Sequence, residues 1–327
     1  VLWHADSPFA QYLKSFHVAV FFMASGYVAS DKYTKSIKGI LSLTKKRIIS
    51  LYVPFVICNA LCIIFNNLLL KTHIYMSVEN SINYMDGKYS IKQWYLPKEI
   101  LKLVAKTFLG EGAGGLAGAS WFLKTLLVVV ILSAIIHYST KIIKNPDIRN
   151  IVIIFCAGMF LMGGFALSIK QAMIFFGTVM TNIFLYELGY MLHYYKKNID
   201  KFYSNKIINS LSILISICVI IFSRKYGNIS YANNTYHDPF IMILSAISGW
   251  ILLYNIALFI EKNNILTRVA TYIGRNTLPI LLIHFLAFKL ITIIQIFIYN
   301  EPIQKLAAFP VLRSGGIWWV SYTVVGV

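Results

Sequence analysis

Apolar stretches of about 20 residues recur from one end of the chain to the other, each long enough to cross a bilayer as a helix. In lipid every backbone N–H and C=O must be paired within the chain, so only helices and closed barrels span. The alternating pattern of barrel strands is absent here, which leaves helices. The 327 residues are 58% hydrophobic and only 13% charged, about half the charged share of a typical soluble domain. The expected fold class is therefore all-α: a polytopic membrane helix bundle, with residues 1–327 read as one membrane domain.

Taken in order, the expected spans are the end of a first at 1–4, then 12–30, 48–70, 121–138, 148–167, 172–194, 207–222, 239–260, 277–298 and a last from 317 onward. That makes about ten transmembrane helices, the first and last read as truncated. Between them, 71–120 is the longest polar region, with a turn-rich NYMDGKYS at 83–90. In 98–109, Ile100, Val104 and Phe108 fall on one helical face and Lys98, Lys102 and Lys106 on the opposite one. Such a helix lies along a membrane surface, caps a cavity, or serves as a solvated linker. The glycine-rich GEGAGGLAG at 110–118 satisfies G-x-G-x-x-G literally. The dinucleotide fingerprint also needs a strand before it and a helix of a parallel unit after it. Neither context is present, so a flexible hinge is expected. No internal repeat is evident, which weighs against the common inverted-repeat transporters.

Thirty Lys and Arg stand against twelve Asp and Glu, a net charge of +18. On a soluble protein that excess would point to nucleic acid. Here much of it lies in short loops between spans, where it sets orientation and meets anionic lipid. The partner it implies is the lipid bilayer, with no nucleic acid. The basic loop 31–47, the group Lys141, Lys144 and Arg149, and the group Lys196, Lys197, Lys201 and Lys206 are placed on the cytoplasmic side. His4, His17 and 71–120 then face outward. Cys58, Cys62, Cys156 and Cys218 all fall in apolar segments and are read as buried core. No further cysteine or histidine completes a zinc pattern, so no metal is expected.

The stretch SFHVAVFFMASGY at 15–27 is apolar yet holds His17 near one end and Ser25, Gly26 and Tyr27 near the other. An ionisable group in lipid is a functional candidate; the competing reading is a packed helix whose histidine a neighbour satisfies. Small Ser25 and Gly26 let another helix or a ligand approach closely. Ser25 lies outside any G-x-S-x-G elbow and is a poor covalent nucleophile. His4 and His17 are joined by one tight loop, with Asp6 near enough to orient His4. A histidine has an unperturbed pKa near ~6.5, so either can take a proton from a hydroxyl at neutral pH. Trp121, Lys124 and His284 lie in spans as candidate cavity-lining residues, together with Ser25 and Tyr27. Glu187, also within a span, is expected to pair with Lys289 or Lys124.

The pattern F-H-x-x-x-F-F-x-x-S-G-Y at 16–27 resembles the second span of the acyltransferase family 3 proteins, especially the branch similar to fucose 4-O-acetylases. KKRIISLYVP at 45–54, WFL at 121–123 and YIGRNTLPILLIH at 272–284 resemble that family in the same order, so the likeness spans nearly the whole chain. It implies an integral-membrane O-acyltransferase in a bacterial plasma (inner) membrane. Acetyl would pass from cytoplasmic acetyl-CoA, a substrate and not a bound cofactor, to a hydroxyl of an envelope or exported glycan. His4 matches the histidine that this family places near the end of its first span and that is regarded as catalytic. The arginine expected earlier in that span would precede Val1. Arg47 matches the basic residue placed before the third span, where Lys45, Lys46 and Arg47 would hold coenzyme A phosphates; these cations also serve as topology markers. Two other readings stand beside it: a transporter or flippase for a glycan or small polar solute, and a membrane domain that supports a partner enzyme.

The charge bias makes a direct prediction. Single cysteines placed at Lys38 and Lys88 should differ toward an impermeant thiol reagent in intact cells, with Lys88 labelled and Lys38 protected. The reverse pattern would invert the assigned topology.

Overall fold

A computed structural model describes residues 1–327 except 83, 85, 86, 227 and 228, with only the backbone of 202 and 226. Three of the omitted positions belong to the turn-rich stretch 83–90, so that expectation lies partly outside the described residues. The protein is 74% helical. The principal helices are α1 (His17–Tyr27), α2 (Ile37–Ile64), α3 (Pro97–Thr107), α4 (Trp121–Thr140), α5 (Pro146–Ile169), α6 (Ile174–Tyr194), α7 (Lys206–Tyr226), α8 (Pro239–Glu261), α9 (Asn264–Arg275), α10 (Thr277–Tyr299) and α11 (Trp318–Val325). By length and composition, six of them can cross a membrane: α2, α4 with the 3₁₀ turn before it, α5, α7, α8 and α10. The 21-residue α6 and the 11-residue apolar α1 lie in two further expected spans.

Helix starts follow local chemistry. Asn145 accepts hydrogen bonds from the backbone N–H groups of Asp147 and Ile148 ahead of α5. Asp238 does the same for Phe240 and Ile241 ahead of α8. In both helices a proline takes the first position, where its missing N–H removes nothing. The loop expected at 31–47 is instead largely helical, running from Ile37 into α2. It passes through a π-helical turn at Ile48–Tyr52. Pro54 lies just beyond, and its ring and missing N–H disturb the preceding turn, which the wider winding accommodates.

The chain divides into two compact units. The first comprises Val1–Ala10, Tyr52–Trp121 and Thr267–Val327. Its apolar centre is built on Ala5, Tyr75, Leu116, Phe285, Phe288, Ile291 and Tyr322. Buried Lys289 donates to the carbonyls of Leu306 and Ala308, at 2.9 and 2.6 Å, which fixes the chain after α10. Tyr322 of α11 bonds Thr292 and Gln295 of α10. Two parallel two-residue strands, β1 (Met76–Ser77) and β2 (Ile91–Lys92), pair at the foot of the polar region. The amphipathic helix expected at 98–109 is α3, which packs on the Val53–Ile64 part of α2. The glycine-rich segment is pinned and not the flexible hinge expected of it. Fully buried Asn59 accepts from the Ala113 N–H and donates to Ser120 Oγ, and Lys92 donates to the Ala113 carbonyl.

The second unit comprises Gln11–Leu51 and Phe122–Leu266. Here α1 packs on α6 and α8, and α6 also on α5. A Cβ built on Gly26 would stand 1.9 Å from the Tyr186 carbonyl oxygen, and one on Gly189 would stand 1.9 Å from that of Met23. The two helices therefore meet backbone to backbone through reciprocal glycines, the close approach that the small residues of the S-G-Y stretch allow. Cysteine placement departs from expectation: Cys58, Cys62 and Cys156 are half-buried and Cys218 is exposed. A thiol on the outer face of a bilayer helix meets lipid, so an apolar neighbourhood does not require burial in protein.

Because backbone atoms block both sites, neither glycine tolerates a methyl group without helix displacement. Gly26→Ala and Gly189→Ala should each lower stability by about 1–3 kcal/mol or more, the usual penalty of overpacking. Thermal unfolding in detergent would read this, and an unchanged melting temperature for both would discount the contact.

Candidate active site

In the first unit, a histidine pair forms where the N-terminal turn meets α10. The turn is closed by Ala5 N–H donating to the Val1 carbonyl and Ser7 N–H to that of Leu2. It leaves His4 half-buried, with its ring centroid 4.3 Å from Trp3, 4.6 Å from Phe285 and 5.1 Å from His284. Asp6 was expected to orient His4. It is exposed, and its carboxylate accepts from Ser314 Oγ at 2.7 Å.

His284 is only 2% exposed. Its Nδ1 lies 3.0 Å from the carbonyls of Ile280 and Leu281, one turn back on α10. Two carbonyl oxygens require a donor, so Nδ1 carries the proton and Nε2 carries the lone pair. That Nε2 is buried with no hydrogen-bond partner among the described residues. Phe285 and Phe288 pack around the ring, with centroids at 4.1 and 5.6 Å. A buried acceptor without a partner is destabilising by roughly 1–3 kcal/mol, and a neutral imidazole in that state is poised to accept a proton or a hydroxyl hydrogen bond. Trp121 is half-buried where the 3₁₀ turn Gly115–Ser120 passes into α4.

The remaining sequence candidates belong to the second unit. His17 donates from Nδ1 to the Leu13 carbonyl at 2.8 Å, in the same i−4 geometry. Ser25 Oγ donates to the Phe21 carbonyl at 2.9 Å, so its hydroxyl is engaged within α1. Tyr27 packs edge-on against His193 and tilted against Trp250. Lys124 lies 4.7 Å over the Phe175 ring. Lys45 and Lys46 are exposed, whereas Arg47 is half-buried with its Nε shielded and without a partner among the described residues. Successive residues turn by about 100° around a helix, so the three cations diverge and Arg47 alone points inward.

Glu187 does not pair with Lys289 or Lys124. It is fully buried and accepts from Ser133 Oγ at 2.5 Å and from His137 Nε2 at 2.8 Å. The His137 ring meets Tyr190 at 4.3 Å, and the Tyr190 hydroxyl donates to Asp31 at 3.0 Å. Sequence reading missed Ser133 and His137. Their four-residue spacing on α4 was the available signal, because it puts a hydroxyl and an imidazole on one face. Lys289 needs no carboxylate, since two backbone carbonyls hold its ammonium.

Outside the spans, burial pushes the Lys92 ammonium down from its ordinary value, beside the Tyr75 ring. Burial pushes the Tyr75 phenol up, with the Cys62 thiol adding to the effect.

His137→Ala would strand the Glu187 carboxylate in the core of the second unit. Removing one member of a buried pair typically destabilises by about 3–5 kcal/mol. Chemical or thermal unfolding of the full chain should show that loss, while Glu187→Gln, which keeps the shape and relieves the charge, should lose less. Equal losses would mean that charge is not the deciding term.

A family model described as an acyltransferase domain matches residues 1–327, the entire chain. No curated protein and no solved structure matches significantly.

Proposed function

Because the chain belongs to this acyltransferase family and is a multi-pass membrane protein, we propose that it is an acetyl-CoA-dependent O-acetyltransferase working as one domain in a bacterial plasma membrane. The acceptor is a hydroxyl of an envelope or exported glycan. The observation that carries the reading is the histidine pair of the first unit. His4 lies in the N-terminal turn beside His284, whose buried Nε2 has no partner among the described residues.

In this reading the neutral imidazole of His4 takes the proton from the acceptor hydroxyl as its oxygen attacks the thioester carbonyl. The tetrahedral intermediate collapses with cleavage of the C–S bond. The departing coenzyme A thiolate recovers the proton from the imidazolium. His284 lines the acceptor side and keeps a lone pair available next to the base. His17 is the second histidine assigned to catalysis. Positioned base and reactants supply most of what such a transfer needs. Lys45, Lys46 and Arg47 hold the phosphates of the donor, with inward-pointing Arg47 the strongest contributor. Of the residues assigned on sequence to line a cavity, Trp121 belongs to the first unit and Lys124, Ser25 and Tyr27 to the second.

His4→Ala should leave the protein folded and able to bind acetyl-CoA, yet lower transfer by ~10²–10⁴, the usual worth of a general base. His4 is half-buried in a surface turn, so its removal opens no large cavity. The assay is thioester loss and acetyl appearance on glycans extracted from the same cells, with melting and donor binding measured alongside. Near-normal turnover would remove His4 from the mechanism and leave His17 as the leading base.

A further inference from the structure

The polar region of the first unit carries a cleft of about 360 Å³ that acyl transfer at the histidine pair leaves unused. That volume falls in the ordinary range of small-molecule sites, about 300–1,000 Å³. Its walls follow from the strand pairing. Met76 sits opposite Ile91 and Ser77 opposite Lys92, which brings Gln93 and Trp94, just past β2, alongside the segment 77–80. Lys71, His73 and Gln304 also belong to the lining.

The indole of Trp94 is 54% exposed, although it lies in a concave wall. Lys71 Nζ stands 5.6 Å from its centroid. Gln93, Asn80, Gln304 and Glu79 line the same cleft. Among the described residues, the side chains of Asn80, Gln93 and Glu79 make no hydrogen bond. The Gln304 amide oxygen receives only a 3.5 Å contact from Tyr84. His73 holds a positive φ of 58°, a conformation uncommon for a residue other than glycine and found preferentially at functional sites.

We infer that this cleft binds a saccharide unit of the acceptor glycan, with a sugar face on Trp94 and its hydroxyls on the surrounding amides and Glu79. The chemistry favours this occupant over the others. A sugar hydroxyl donates and accepts at once, and a primary amide offers both functions in one plane. An aromatic face open to solvent supplies the apolar surface for the C–H side of the ring. A phosphate would call for converging cations, whereas Glu79 opposes Lys71 and His73 here. A lipid chain would call for continuous apolar walls, and this lining is interrupted by amides. The inference rests on the glycan-acceptor reading above and deepens it, giving the acceptor a docking subsite of its own.

The test uses the full chain in lipid nanodiscs and a panel of oligosaccharides of neutral hexoses, 6-deoxyhexoses and N-acetylhexosamines, with affinity read by ligand-observed NMR. At least one saccharide should bind, and Trp94→Ala should weaken it by roughly tenfold or more, as loss of a stacking surface implies. Trp94→Phe should keep most of the affinity. Acetyl-CoA hydrolysis and melting temperature should be unchanged in both variants. Absence of saccharide binding by the unaltered chain, or equal affinity in Trp94→Ala, overturns the inference. So does a Trp94→Ala protein altered only in its partition into vesicles, which would make Trp94 a membrane anchor. The two readings fail separately. Trp94-dependent saccharide binding without any acyl transfer would sink the enzymatic reading and leave this one standing. Acyl transfer with a Trp94-independent acceptor KM would do the opposite.

Discussion

The second unit depends on one contact, the crossing of α1 and α6 at Gly26 and Gly189. Lipid tails are as apolar as leucine, so burying apolar side chains drives helix association far less in a bilayer than in water. What remains is dispersion at short range, which grows as backbones approach. Each glycine faces a carbonyl of the other helix with no room for a methyl group. An 11-residue helix has little surface of its own. Its attachment comes from this approach and from neighbours such as Phe16, which stands so close to Gly249 of α8 that a Cβ there would lie 2.3 Å from its ring.

Close packing leaves polar groups to find partners locally. Glu187, Asn59 and Lys289 are each 3% exposed or less, and each is satisfied in a different way. Glu187 uses two side chains of α4. Asn59 uses both ends of its amide, one on Ser120 and one on the Ala113 backbone. Lys289 uses two carbonyls of the segment after α10. In each case a buried polar group joins elements distant in sequence, so these residues act as fasteners. The large desolvation penalty of an unpaired charge makes such fasteners specific as well as strong.

The sequence carried the fold class plainly, because a 20-residue apolar run has only one solution in lipid at this composition. The amphipathic α3 was equally legible from its three-lysine face. Partners were not. The pairing of Glu187 was assigned to lysines on charge alone, and the structure gives it an imidazole and a hydroxyl, because which face of α4 meets α6 is set by packing and not by composition. The glycine-rich stretch looked loose by composition. Its order comes from Asn59, 51 residues before Gly110 in the chain, and no local pattern announces such a contact. The grouping of Trp94 with Gln304 was invisible for the same reason. His4 and His284 were each legible as ionisable residues in apolar sequence; that they share one aromatic surround was not.

Three histidines show how function and structure separate within these rules. His17 and His284 both give their Nδ1 proton to a carbonyl one turn back, and His137 gives its Nε2 proton to Glu187. In His284 the first arrangement fixes a tautomer without consuming the second nitrogen. The second commits the ring to a buried carboxylate, as a structural pair requires. For His284 the other nitrogen is buried and without a partner among the described residues, a state that packing alone does not favour. Other buried polar atoms share that state, among them both amide atoms of Asn150 and the Oδ1 of Asn182, so the geometry beside His4 is what sets His284 apart. The ring that carries this lone pair has its centroid 5.1 Å from that of the His4 ring, and an imidazole with an open nitrogen is chemically able to accept a proton.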